Sequence, residues 1–133
     1  MKYLHSMIRV NNLKESLRFY EDLIGLKLQS KKDLEDCTLY FLAQYEGAPE
    51  IELTDNWQKP TTPYKTGETF GHFAFECEDM EAFVKKVHDM GYELMYGEPF
   101  NLDLKNEDGS ITVKRIAFIK DPDGNEIEII YKG

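Results

Sequence analysis

Two stretches of this chain can be laid on each other. "HSMIRVNNLKESLRFYEDLIGLKL", beginning at His5, matches "HFAFECEDMEAFVKKVHDMGYEL", beginning at His72, at an offset of 67 residues. His5 meets His72, the strand-like "MIRV" meets "AFEC", and the apolar set Leu13, Leu17 and Tyr20 meets Met80, Val84 and Val87. The spacing i, i+4, i+7 on both sides is one face of an amphipathic helix. Each helix carries its own start and stop signals. Asn12, with Glu15 three residues on, resembles a capping box, and Gly25 sits past the end; Asp79 can cap the second helix, and Gly91 ends it. The repeat predicts two modules of one kind.

After each helix the chain turns strand-like again, and each module closes on an acidic alternation: "EIEL" at 50–53 and "EIEII" at 126–130. Successive strand side chains point to opposite faces, so Ile51 and Leu53 oppose Glu50 and Glu52, as Ile127 and Ile129 oppose Glu126 and Glu128. Glu52 meets Glu128 at an offset of 76, nine more than at the module starts. The extra residues are expected in "NLDLKNEDGSITVKR", a polar hairpin whose Asp-Gly supplies the turn near Lys105–Gly109. "KDPDGN" is the turn into the last strand, and turn chemistry accounts for its two Asp residues. Each module reads strand, helix, strand, strand, strand. The expected fold is α+β, with tandem βαβββ modules forming curved mixed sheets. Module one spans about 1–56, a linker about 57–70, and module two about 71–133, within a single domain of 1–133.

The composition narrows the function. With 133 residues, 41% hydrophobic and 13% aromatic, the chain can bury a real core. Its net charge of −9 comes from acids spread along the whole length, without a basic stripe or tail. Nucleic acid and an anionic membrane surface are disfavoured as partners on that ground. No apolar run approaches the roughly 20 residues of a spanning helix. "MKYLHSMIRV" lacks the pattern of a cleaved leader, and a cytoplasmic protein is expected. Cys37 and Cys77 are far apart and in no Cys-x-x-Cys arrangement, which argues for free thiols over a disulfide or a thiolate metal site.

The repeat then gives the acidic faces a meaning. One strand His alone is most simply a hydrogen-bonded structural residue, and one acidic strand face a solvated edge. Here both residue types recur at matching places. Two modules joined about a pseudo-twofold axis can set His5, Glu52, His72 and Glu128 around one point, and two imidazoles with two carboxylates suit a divalent cation that keeps room for water. His88 has no counterpart in module one and reads as a surface residue.

At these residues the chain resembles the glyoxalase I enzymes (lactoylglutathione lyases) of the vicinal oxygen chelate superfamily. "LHSMIRV" and "SLRFYEDLIGLKL" look like the family's first strand and helix. "IELTDNW" is similar to the strand carrying its second ligand, "GHFAFEC" to the third-ligand strand, and "IAFIKDPDGNEIEII" to the closing hairpin. The resemblance implies metal ligation by His5, Glu52, His72 and Glu128. It also implies contact of Arg9 and Asn56 with the γ-glutamyl end of glutathione. Where some members place a cation four residues before the third ligand, this chain has Glu68.

The implied reaction isomerises the hemithioacetal of a 2-oxoaldehyde such as methylglyoxal and a low-molecular-weight thiol, glutathione or an analogue, to a 2-hydroxyacyl thioester. Glu128 would be the principal proton-transfer base and Glu52 the less mobile ligand. The resemblance further implies nickel or cobalt ahead of zinc. It also implies a homodimer whose sites lie between chains, with His5 and Glu52 from one and His72 and Glu128 from the other. Two other readings stay open: an epimerase or thiol transferase using the same metal, and a metal-free module that binds a small molecule. The sequence leaves open which thiol is used.

Overall fold

In the computed structural model, which describes residues 1–133, the chain forms two units, Met1–Thr66 and Gly67–Gly133. The first holds β1 (His5–Arg9), α1 (Leu13–Leu17), which continues as a π-helical segment (Arg18–Leu23), then β2 (Lys27–Asp33), β3 (Cys37–Ala43) and β4 (Glu50–Asn56). The second holds β5 (His72–Cys77), α2 (Met80–Asp89), β6 (Phe100–Lys105), β7 (Ile111–Lys120) and β8 (Glu126–Tyr131).

Each unit is a four-stranded mixed sheet, in the order β1-β4-β3-β2 in the first and β5-β8-β7-β6 in the second. The first and last strands of each unit pair in parallel and the others antiparallel. A parallel pair needs a crossover, and the helix supplies it. The α+β architecture and its βαβββ order are those expected from the sequence.

Local chemistry sets the helix ends. Asn12 accepts from the Glu15 amide at 3.2 Å, and Asp79 accepts from the Ala82 amide at 2.9 Å, so each helix start has one of its orphan N–H groups satisfied. Gly25 and Gly91 follow the helices at φ +92° and +82°, a backbone region costly for any residue with a Cβ. The π-helical run replaces the regular α-helix that the apolar spacing predicted. The register slips there, so that Phe19, Tyr20 and Leu23 are all buried beside Ser16.

The period-two alternation sorts the strands as expected. Ile51, Leu53, Ile127 and Ile129 are buried, with Val10, Phe19, Tyr20 and Leu42 in the first unit and Met80, Val87, Ala117 and Ile119 in the second. Each fully buried aliphatic or aromatic side chain of this kind contributes about 1.5–3 kcal/mol relative to exposure. The opposite sheet face in each unit carries the His and Glu candidates.

The nine extra residues of the second unit fall in its hairpin. Leu94 bridges to Ile119, a turn through Gly97 interrupts the pairing, and β6 and β7 then run on past the length of their counterparts, β7 having ten residues to seven in β3. The tip closes at Asn106–Ser110, where Gly109 takes φ +86° and Asp108 accepts from the Ser110 amide and hydroxyl. The final turn is held by buried Asp121, whose carboxylate accepts from the amides of Asp123 and Asn125 and from the Asn125 side chain. That aspartate is structural, as turn chemistry required.

Candidate functional site

The parallel strand pair at the edge of each sheet brings a His beside a Glu by the same register. In the first unit His5 is opposite Glu50 and Met7 opposite Glu52; in the second His72 is opposite Glu126 and Ala74 opposite Glu128. His and the second Glu are therefore diagonal neighbours on one face, within reach of long side chains. His5 Nε2 lies 3.5 Å from Glu52 Oε1, and His72 Nε2 lies 3.0 Å from Glu128 Oε2. Both imidazoles are partly exposed and both carboxylates largely covered, with side-chain exposures of 41% and 11% in the first pair and 41% and 14% in the second.

A phenylalanine completes each pair. Phe41 on β3 stands opposite Glu52 and meets the His5 ring edge-on at 5.6 Å; Phe118 on β7 stands opposite Glu128 and meets the His72 ring in the same way, also at 5.6 Å. Edge-to-face packing fixes each imidazole's plane while its Nε2 stays turned to the carboxylate. These two phenylalanines escaped the sequence reading, because a strand Phe reads as core until cross-strand register is known. Their signal is the matched "YFLA" and "AFIK", set eleven and ten residues before the two glutamates.

Thr54 was also missed. Its hydroxyl donates to Glu52 Oε2 at 3.0 Å, both residues being buried.

The remaining candidates separate. Arg9 shares the face of His5, two residues on from Met7, and pairs with Thr54 in register. Asn56 shares the face of Glu52 and donates from Nδ2 to the Tyr64 hydroxyl at 3.1 Å. His88 and Glu68 are exposed. Both cysteines are free thiols, Cys37 buried and Cys77 half-buried. Burial raises the Cys37 thiol above its ordinary range, and Asp36 beside it adds to the effect; burial is also the main cause that raises Cys77. In the second unit Tyr96, Glu98, Phe100 and Phe118 line a shallow, open aromatic hollow of about 440 Å³, and Phe118 joins it to His72.

Each unit thus brings two of the four candidate ligands together, and no third His, Cys, Asp or Glu joins either pair. The donor chemistry fits a divalent cation of the intermediate class. An imidazole nitrogen and a carboxylate oxygen already face each other within each pair.

Comparison with known proteins identifies the family. Residues 2–129 match the family model of the Glyoxalase/Bleomycin resistance protein/Dioxygenase superfamily. The chain belongs to this superfamily. Among its relatives is a probable lactoylglutathione lyase of Synechocystis, 40% identical over 98% of this chain and 95% of that protein. Glyoxalase I of Saccharomyces cerevisiae is 34% identical over 99% of this chain, which spans only 44% of the yeast protein. Among solved structures, the trypanothione-dependent glyoxalase I of Leishmania major shares the fold at a TM-score of 0.75. It is 32% identical, over 99% of this chain and 87% of that one. The resemblance drawn from the sequence is thereby upheld, and so is the fold class. No helix of the chain is long and apolar enough to cross a membrane.

Proposed function

We propose that this chain is a glyoxalase I, converting the hemithioacetal of methylglyoxal and a small thiol to a 2-hydroxyacyl thioester. The observation that carries the reading is the twice-built His–Glu–Phe arrangement, in a chain similar over nearly its whole length to lactoylglutathione lyases. The conversion removes a proton from the carbon that bears sulfur and returns one to the neighbouring carbon, so a single carboxylate can take and give the same proton. Glu128 is the proposed base. His5, His72 and Glu52, with Glu128 in its resting position, are the proposed ligands of one divalent cation, nickel or cobalt ahead of zinc. The cation, when bound, supplies positive charge to the two adjacent substrate oxygens as negative charge develops on them.

Arg9 offers a guanidinium suited to a carboxylate of the thiol moiety, and Asn56 an amide held by Tyr64. The open aromatic surface of Tyr96, Phe100 and Phe118 offers an apolar wall for the methyl end of the substrate. The proposed enzyme is a homodimer, in which the His5–Glu52 pair of one chain completes the His72–Glu128 pair of its partner.

Assay of metal-stripped protein reloaded with nickel, cobalt or zinc, on preformed hemithioacetals of methylglyoxal with several thiols, tests the reading. Thioester formation that depends on added metal is the expected result. Its absence with every thiol and metal overturns it.

A further inference from the structure

The two carboxylates that pseudo-symmetry makes equivalent are not held alike. Glu52 has both oxygens engaged: Oε1 faces His5 Nε2, and Oε2 accepts the Thr54 hydroxyl at 3.0 Å. Thr54 is 6% exposed and lies two residues along β4, on the same face, in register with Leu39 on one side and Arg9 on the other. Its β-branched side chain has few rotamers to choose from, so the hydroxyl is a stiff anchor. The place of Thr54 in the second unit is taken by Ile130, two residues beyond Glu128 and in register with Ile116 and Glu76. Ile130 has no hydroxyl to offer, and the polar partner of Glu128 is His72 alone, through one oxygen.

We propose that Thr54 is a positioning residue that pins Glu52, and that Ile130 in the matching place leaves Glu128 free to swing, so that this one pair of side chains decides which carboxylate moves the proton. The assignment of a mobile base rests on the functional reading above. Each carboxylate must leave its histidine to move, but Glu52 must also break the bond from the Thr54 hydroxyl to its second oxygen, and Glu128 has no bond of that kind to break. Nothing in the backbone register distinguishes the two strands, so the asymmetry resides in the side chains at 54 and 130.

The test exchanges them. Glu52→Gln and Glu128→Gln are compared in the native background and in the double variant Thr54→Val with Ile130→Thr. In the native background Glu128→Gln loses far more turnover than Glu52→Gln. In the exchanged background that gap closes by roughly tenfold or more, the size of one charge-assisted hydrogen bond. Thr54→Val alone releases metal to a chelator faster than the native protein, while Thr54→Ser, which keeps the hydroxyl, does not.

Relaxation of the ¹³C-labelled glutamate carboxyl groups in the metal-free protein gives a readout that needs no turnover: Glu52 rigid and Glu128 mobile, reversed in the exchanged variant. Equal mobility of the two carboxylates in the native protein overturns the proposal, as does a gap that survives the exchange. If no hemithioacetal is turned over, the functional reading fails, and the carboxyl relaxation still decides the role of Thr54.

Discussion

Glu128 is the proposed base and Glu52 the proposed fixed ligand, and a Glu→Gln change at each position distinguishes the two roles. Glu128→Gln keeps an oxygen donor of the same size beside His72 and removes the base. Metal content is expected to stay near the native level while kcat falls by roughly 10²–10⁴, as for loss of a general base. Metal analysis and steady-state rates on the same preparation check this, and a Glu128→Gln protein with near-native kcat contradicts it. These glutamates were legible in the sequence because the Ile and Leu between them alternate at period two, and because each recurs in its module with a His before it. Thr54, Phe41 and Phe118 were not, since what they touch depends on strand register and on a side-chain hydrogen bond, neither of which a single strand's sequence displays.

Among the elements, the strands and the capped helix starts at Asn12 and Asp79 followed directly from local chemistry. The π-helical segment Arg18–Leu23 did not. Its residues keep an apolar spacing that an α-helix would also satisfy, and the choice is made by packing, which buries Phe19, Tyr20 and Leu23 together. The β6–β7 hairpin holds the extra residues, as its Asp-Gly turn signal predicts, though the turn through Gly97 lies ahead of that polar stretch. Its tip has a pH signature. Hydrogen bonds from the Ser110 hydroxyl and amide hold the Asp108 carboxyl below the usual carboxylate range. A lowered folded-state pKa contributes stability that is present above the unfolded value and is lost as pH falls through the folded one. Amide exchange at Asn106 and Gly109, whose N–H groups are bonded within the tip, is therefore expected to speed up on acidification below the ordinary Asp range, relative to the intrinsic rate. Asp108→Asn should flatten that response. A response unchanged in Asp108→Asn contradicts this account of the tip.

At the scale of the molecule, the repeat explains why each unit carries one His–Glu pair. A chain of two like units can pair them within itself or across two copies, and the sequence is the same in either case. If the proposed dimer is right, mixing inactive His5→Ala protein with inactive His72→Ala protein, under conditions where subunits exchange, restores part of the native activity. Each mixed dimer then has one site with all four ligands and one with neither histidine. Demonstrated exchange without rescue places complete sites within single chains.

If the two His–Glu pairs belong to one metal site, counting metal shows it without any assay of turnover. Titration of stripped protein with nickel is expected to reach one tightly held ion per chain, and His5→Ala and His72→Ala are each expected to abolish that tight binding, since either removes a ligand from every site. Two ions per chain, or a His5→Ala protein that still holds half of the native metal, would show two independent pairs and contradict the account.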